Sequence, residues 1–152
     1  MNSKKIKYDV FIKGQKIDLV VLNEEIIKFT QWYNWFNDSE TTSFMQKHYY
    51  PNSKEDQLEF FKKSLKNSHE NFQLGIVEKI GNNLIGVISL NQIDHINKKC
   101  KVAIIIGDKK YKSMDYFLES NRLIFDHAVN TLSMRRIEGG SLSKEVAIMH
   151  ER

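Results

Sequence analysis

Between Tyr111 and Ser120 the chain reads YKSMDYFLES, a turn that leaves an apolar run (Val102 to Ile106) and opens a helix. A helix N-terminus presents free backbone amides and partial positive charge, so such a turn suits a phosphate. The candidate donors are the amides of Ser113, Met114, Asp115, Tyr116 and Phe117, with Lys109 and Lys112 as counter-charge. Glycine, which lets a backbone close tightly on a phosphate, is missing from this turn. The five histidines (His48, His69, His95, His127, His150) share no metal-ligand spacing with each other or with Cys100, so no metal is expected. Trp32, Tyr33, Trp35 and Phe36 cluster on one helical segment and read as core packing rather than a stacking platform. Neither a Ser–His–Asp arrangement nor a P-loop is evident.

These groups need a scaffold, and 152 residues suffice for one domain with a proper core, spanning 1–152. A hydrophobic share of 41% with 28% charged residues places the chain among soluble globular proteins. The net charge of +4 is spread in short clusters, which argues against nucleic-acid binding and suits an anionic small molecule. One cysteine excludes an internal disulfide, and the polar N-terminus has no signal-peptide run, so a cytoplasmic location is expected. No apolar run approaches the ~20 residues of a membrane helix.

Along the chain, Ile17–Leu22 reads as a first strand, and the following segment as a helix with Ile26, Ile27, Phe29, Tyr33 and Phe36 on one face. A short helix over Glu40–Gln46 and one N-capped by Ser53, with a stripe of Leu58, Phe60, Phe61 and Leu65, come next. Three β-rich runs follow, Phe72–Lys79, Leu84–Gln92 and Lys101–Ile106, the first two joined by a hairpin at Gly81–Asn83. A helix over Tyr116–Thr131, with Leu118, Phe125, Val129 and Leu132 on one face, leads to a strand at Arg135–Leu142 and a last helix from Ser143. An antiparallel meander that continues through a helix to a further strand predicts an α+β fold with a mixed sheet.

Four collinear segments carry a family likeness: WFND (Trp35 to Asp38), NNLIGVISLNQID (Asn82 to Asp94), AIIIGDKKY (Ala103 to Tyr111) and RRIEGGSLSKEVAIMHER. In order and spacing they resemble the GNAT acyltransferase superfamily, in its branch of ribosomal-protein N-terminal, polyamine and nucleotide-amino-sugar acetyltransferases. The resemblance implies a mostly antiparallel sheet whose fourth strand, here Lys101–Ile106, carries a bulge and splays from its neighbour. Backbone at Ile104, Ile105 and Ile106 would then pair with the pantetheine arm of acetyl-CoA, the co-substrate. The pyrophosphate would rest on the next turn, with Lys112 in the basic position and Asp115 and Phe117 standing where the family has glycine. Ser143 is the remaining cofactor contact so implied.

For chemistry, the resemblance places His150 where many members have a tyrosine acid, and puts Glu78 and Asp94 nearest the expected cleft as bases. Lys101 replaces a frequent family glutamate. Glu40, His48 and Tyr49 fall in the region that lines the acceptor side. The implied activity is acetyl transfer to a primary amine, first of an amino-sugar nucleotide, then of a protein N-terminus or a polyamine, with no nucleic-acid or membrane partner. The family continues past Arg152 into a further strand, so the resemblance leaves two alternatives: the sequence is truncated, or a partner chain, as in a homodimer, completes the sheet. The glycine-free turn and Lys101 also support a second reading, a non-catalytic domain of this fold that acts in binding or assembly.

Overall fold

The computed structural model describes residues 7–30, 32–35, 53–65, 69–111 and 113–139. Within them a six-stranded sheet runs in sequence order, β1 (Val10–Lys13), β2 (Ile17–Val21), β3 (Phe72–Glu78), β4 (Asn83–Asp94), β5 (Lys99–Ile106) and β6 (Arg136–Gly139). All pairs are antiparallel except β5 with β6, which are parallel and joined by a helical crossover. The helices are α1 (Glu24–Phe29), α2 (Trp32–Trp35), α3 (Lys54–Phe60) and α4 (Met114–Asp126). The last two each run on into a wider π-type turn, Phe61–Leu65 and His127–Thr131. This is the α+β fold that the order of elements predicts.

The two faces of the sheet feed two cores. Ile17, Leu19, Leu74, Ile76, Ile88, Leu90, Val102, Ile104 and Ile106 pack beneath α4 with Ile124 and Ala128. Val20, Val77, Val87 and Ile105 pack on the other side with Ile26, Ile27, Trp32, Trp35 and Phe61. Alternation along each strand dictates this division. It slips in β4 at Ile85, an extra residue between the pairs Ile76↔Gly86 and Val77↔Leu84.

Several elements depart from the sequence reading for identifiable reasons. A strand, β1, precedes the expected first one; it is an edge strand with exposed Val10 and Phe11, so it lacks a buried alternating pattern. The single helix expected after β2 breaks at Thr30, which is extended and whose hydroxyl donates to the Ile26 carbonyl (2.6 Å). The break turns the face, so Ile26, Ile27, Trp32 and Trp35 are buried while Phe29 is exposed. Phe60, Leu118 and Val129 are likewise exposed, leaving Phe61 and Ile124 as the buried anchors of their helices. The β3–β4 turn has Asn82, not Gly81, in the left-handed region (φ 56°), which suits asparagine. Ser53 does cap α3, in a reciprocal capping box with Asp56. The helices expected over Glu40–Gln46 and from Ser143 lie outside the described residues.

One polar group ties the N-terminal hairpin to α4. The buried Glu119 carboxylate accepts from the amides of Gln15 (2.6 Å), Lys16 (3.0 Å) and Ile17 (3.3 Å), three donors in the β1–β2 turn. Gly14 makes room for it, because a Cβ there would collide with Glu119 Oε2 and the Ile17 carbonyl. Glu119→Ala is therefore expected to cost about 2–3 kcal/mol, since it leaves those amides facing an apolar side chain. Urea unfolding measures this, and an unchanged midpoint would show that the turn is held by other contacts.

At the far end of α4, His127 sits edge-on to Phe11 and Phe72, with ring centroids 5.2 and 6.1 Å away. Burial pushes its pKa below the ordinary 6.5, and neighbouring Asp126 offsets this in part. Between the two pKa values the unfolded chain holds more protons, so stability rises with pH there. The contribution is complete above about 6.5, the unfolded value, and is lost as pH falls below it. A His127→Gln variant should flatten that stretch of the stability–pH profile measured by thermal unfolding.

Candidate functional site

Strand β5 has two unlike edges. On one side it pairs with β4 along its whole length, from Asp94↔Lys99 to Gly86↔Ile106. On the other it pairs with β6 only from Lys99↔Arg136 to Val102↔Gly139. Among the described residues, the edge of Ala103–Ile106 therefore has no strand partner. Register with β4 is unbroken from Lys101 to Ile106, so the bulge expected in this stretch is not there. The irregularity lies instead between Asn91 and Asp94, where Gln92 takes φ 51°.

The three isoleucines on this edge spend their side chains on packing. Ile104 and Ile106 belong to the core under α4, and Ile105 to the opposite one. What they offer a ligand is backbone, an open strand edge able to receive an extended, amide-containing chain. Gly107 closes the strand, its amide bonding to the Ile85 carbonyl at 2.9 Å. Trp35 lies flat against it, in the space that any Cβ would need.

Beyond Gly107 the chain passes through one 3₁₀ turn (Lys109–Tyr111) and enters α4 at Ser113. Asp108 organises the turn: its carboxylate accepts from the Lys110 amide (3.1 Å) and its carbonyl from the Tyr111 amide (3.0 Å). Ser113 makes no side-chain cap bond, so the first-turn amides of Met114, Asp115 and Tyr116 are not claimed by it. Asp115 stands exposed beside these amides and is paired with Lys16 at 3.0 Å. The same carboxylate pushes the Lys16 pKa up. Through this pair, the β1–β2 turn sets a cation at the mouth of α4, where sequence alone shows only an acid. Phe117, half-buried, packs into the core, as do Tyr116 and Tyr111, whose rings meet edge to face at 5.7 Å.

The two acidic candidates do not share a site. Glu78 lies at one end of β4 and Asp94 at the other, ~35 Å apart at ~3.4 Å per residue. Glu78 is buried in the β3–β4 turn, accepting from the Gly81 amide (2.7 Å) and Asn83 Nδ2 (3.2 Å), with the Tyr111 hydroxyl at 3.5 Å. The Asp94 carboxylate accepts from the amides of Ile96 and Asn97 (both 3.0 Å) and from Asn97 Nδ2 (2.9 Å). These bonds, the Asn97 amide foremost, hold its pKa below the usual carboxylate value. Both carboxylates are thus engaged in shaping turns. His150, Lys112, Ser143, Glu40, His48 and Tyr49 lie outside the described residues.

Lys16 and Glu119 escaped the sequence reading, since each acts across about a hundred positions of chain. The only local signal was Gly14, a turn glycine between two apolar runs. Among the described residues no group of His, Cys, Asp or Glu is placed to hold a metal ion, and no helix is long and apolar enough to cross a membrane.

The model of the acetyltransferase (GNAT) domain matches residues 21–149. Solved structures share the fold at low identity. A GNAT-family acetyltransferase from Bacillus anthracis superposes with TM-score 0.69 at 15% identity, over 85% of this chain and 72% of that one. Spermidine N-acetyltransferase from Vibrio cholerae, solved with CoA and spermine, gives 0.68 at 20% identity, over 80% and 69%. The microcin C7 self-immunity acetyltransferase MccE, solved with acetyl-CoA and AMP, gives 0.68 at 18%, over 82% and 68%. No curated protein sequence matches.

The contact of Gly107 with Trp35 is open to a direct test. Gly107→Ala should destabilise the fold by about 1–3 kcal/mol through overpacking. Combined with Trp35→Ala, the loss should be well below the sum of the two single losses, because the clash has been removed. Additive losses in denaturant unfolding would show that the two residues do not touch.

Proposed function

The chain belongs to the GNAT acetyltransferase family, and from that premise we propose that it moves an acetyl group from acetyl-CoA to the primary amine of a small molecule, an amino-sugar nucleotide before a protein N-terminus. The observation that carries this reading is the edge of Ala103–Ile106, which has no strand partner among the described residues and leads through one 3₁₀ turn to the first turn of α4. A pantetheine arm pairs with the edge, and the pyrophosphate lies against the amides of Met114, Asp115 and Tyr116, the Phe117 amide being bonded to the Ser113 carbonyl; Ser113 and Lys112 are their neighbours in sequence. Lys16 neutralises Asp115 there, which offsets the charge that Asp115 brings to a glycine position.

In the reaction the amine, once deprotonated, attacks the thioester carbonyl. A backbone amide on the open edge steadies the oxyanion, and the tetrahedral intermediate expels CoA as a thiolate. His150 is the proposed acid that protonates it. Glu78 and Asp94 enter as the groups that fix the two ends of β4, each already holding a turn. The neighbours solved with spermine and with AMP support an amine acceptor and tolerance of a nucleotide. A non-catalytic, binding role finds its support in Phe117, whose ring fills core where the family has glycine.

Calorimetric titration with acetyl-CoA separates the two readings. Saturable binding is expected, with ~2.7 kcal/mol of stabilisation at 100 times the dissociation constant. Lys16→Glu should weaken it about fivefold, and Asp115→Asn should tighten it. No binding by folded protein would overturn acetyl transfer in favour of the binding role.

A further inference from the structure

On the sheet face opposite α4, an apolar patch gives way to a polar row. Alternation puts Gln73, Ser89, Asn91, Lys101 and Ala103 on the same face as Val77, Val87 and Ile105, which pack with Trp32 and Trp35. Register aligns Gln73 with Ser89 and Ser89 with Ala103, while Asn91 lies opposite Lys101 and Lys101 opposite Glu138. The row thus reaches β5 beside its last described pair with β6, Val102↔Gly139.

Its hydrogen bonding is incomplete. Asn91 Nδ2 donates to Ser89 Oγ at 2.9 Å, which leaves Asn91 Oδ1 and the Ser89 proton for another partner. Gln73 Oε1 is buried and has no hydrogen-bond partner. An orphaned buried carbonyl costs about 1–3 kcal/mol, and a ligand donor placed against it recovers that cost. The row also leans positive. Lys101 is exposed, and the row's carboxylate among the described residues, Glu138, is paired with Arg136 at 3.4 Å.

We infer that Gln73, with Ser89 and Asn91, forms the acceptor-selecting surface, and that it takes a hydroxylated, anionic amine of the amino-sugar phosphate type rather than a polycation. The inference rests on the acetyl-transfer reading and deepens it. With pyrophosphate at α4 and the arm along Ile106 to Ala103, the thioester lies beside Ala103 and Lys101. Ser89 and Asn91 are one strand away, ~5 Å, and Gln73 two strands, ~10 Å. An amine held at the thioester therefore extends its far end toward Gln73, where sugar hydroxyls meet Gln73 Oε1, Ser89 and Asn91 Oδ1. A polyamine would bring a second ammonium to a row with a free cation and no free carboxylate among the described residues, a like-charge contact.

Acetylation of glucosamine 6-phosphate, glucosamine and spermidine, followed by thiol release, tests this alongside acetyl-CoA calorimetry. The sugar phosphate should have the highest kcat/KM, exceeding spermidine at least about tenfold. Gln73→Leu should raise the sugar KM about ten- to a hundredfold with little change in kcat, since a contact far from the thioester contributes uniform binding. Its acetyl-CoA affinity should stay at the wild-type value. Gln73→Glu, of the same size and still an acceptor, should shift the ratio toward spermidine. Spermidine turned over as well as the sugars, or sugar kinetics unmoved by Gln73→Leu, would overturn the inference while acetyl transfer stands. Loss of acetyl-CoA binding in wild-type protein would instead remove the reading beneath it.

Discussion

The unequal pairing of β5 organises the molecule. A strand inside a sheet ordinarily satisfies its amides and carbonyls on both sides, and leaving half of one side open has an energetic cost. Here β4 pairs with β5 over its full length, while among the described residues β6 accompanies it only through Val102. The stretch from Ala103 to Ile106 stays straight because Ile104, Ile105 and Ile106 are nailed into cores on both faces. Rigidity of this kind turns unpaired backbone into a preorganised template, so binding a ligand need not first order the strand.

The N-terminal hairpin completes that template from a distance. Glu119 gathers three amides of the β1–β2 turn onto α4, which brings Lys16 within reach of Asp115. A buried carboxylate holding backbone donors fixes geometry, and an exposed ion pair then sets local charge; the first does the positioning and the second contributes little stability on its own. Asp115 therefore stands at the head of α4 with its cation beside it.

The sheet was legible because each central strand alternates between two cores, a period of two that survives in Phe72–Glu78, Gly86–Leu90 and Lys99–Ile106. The turn into α4 was legible too, from an apolar run stopping at Ile106 and a helix read over Tyr116–Thr131, which in the structure begins at Met114. Edge strand β1 was not, because its exposed residues carry no burial pattern. Nor was the break at Thr30, where one hydroxyl bonded to Ile26 outweighs a helical periodicity. The polar row at Gln73 was hidden for another reason: three residues on neighbouring strands become adjacent only through register, which the bulge at Ile85 sets. Long-range partners such as Lys16 and Glu119 have no local signature at all.

A donor edge made of main chain is indifferent to the side chains that carry it, provided they pack. Substitution at Ile104–Ile106 is policed by the cores on both faces, which constrain side chains and leave the donors and acceptors of the main chain untouched. Structures of one architecture at 15–20% identity fit that separation: the residues have drifted and the backbone path has not.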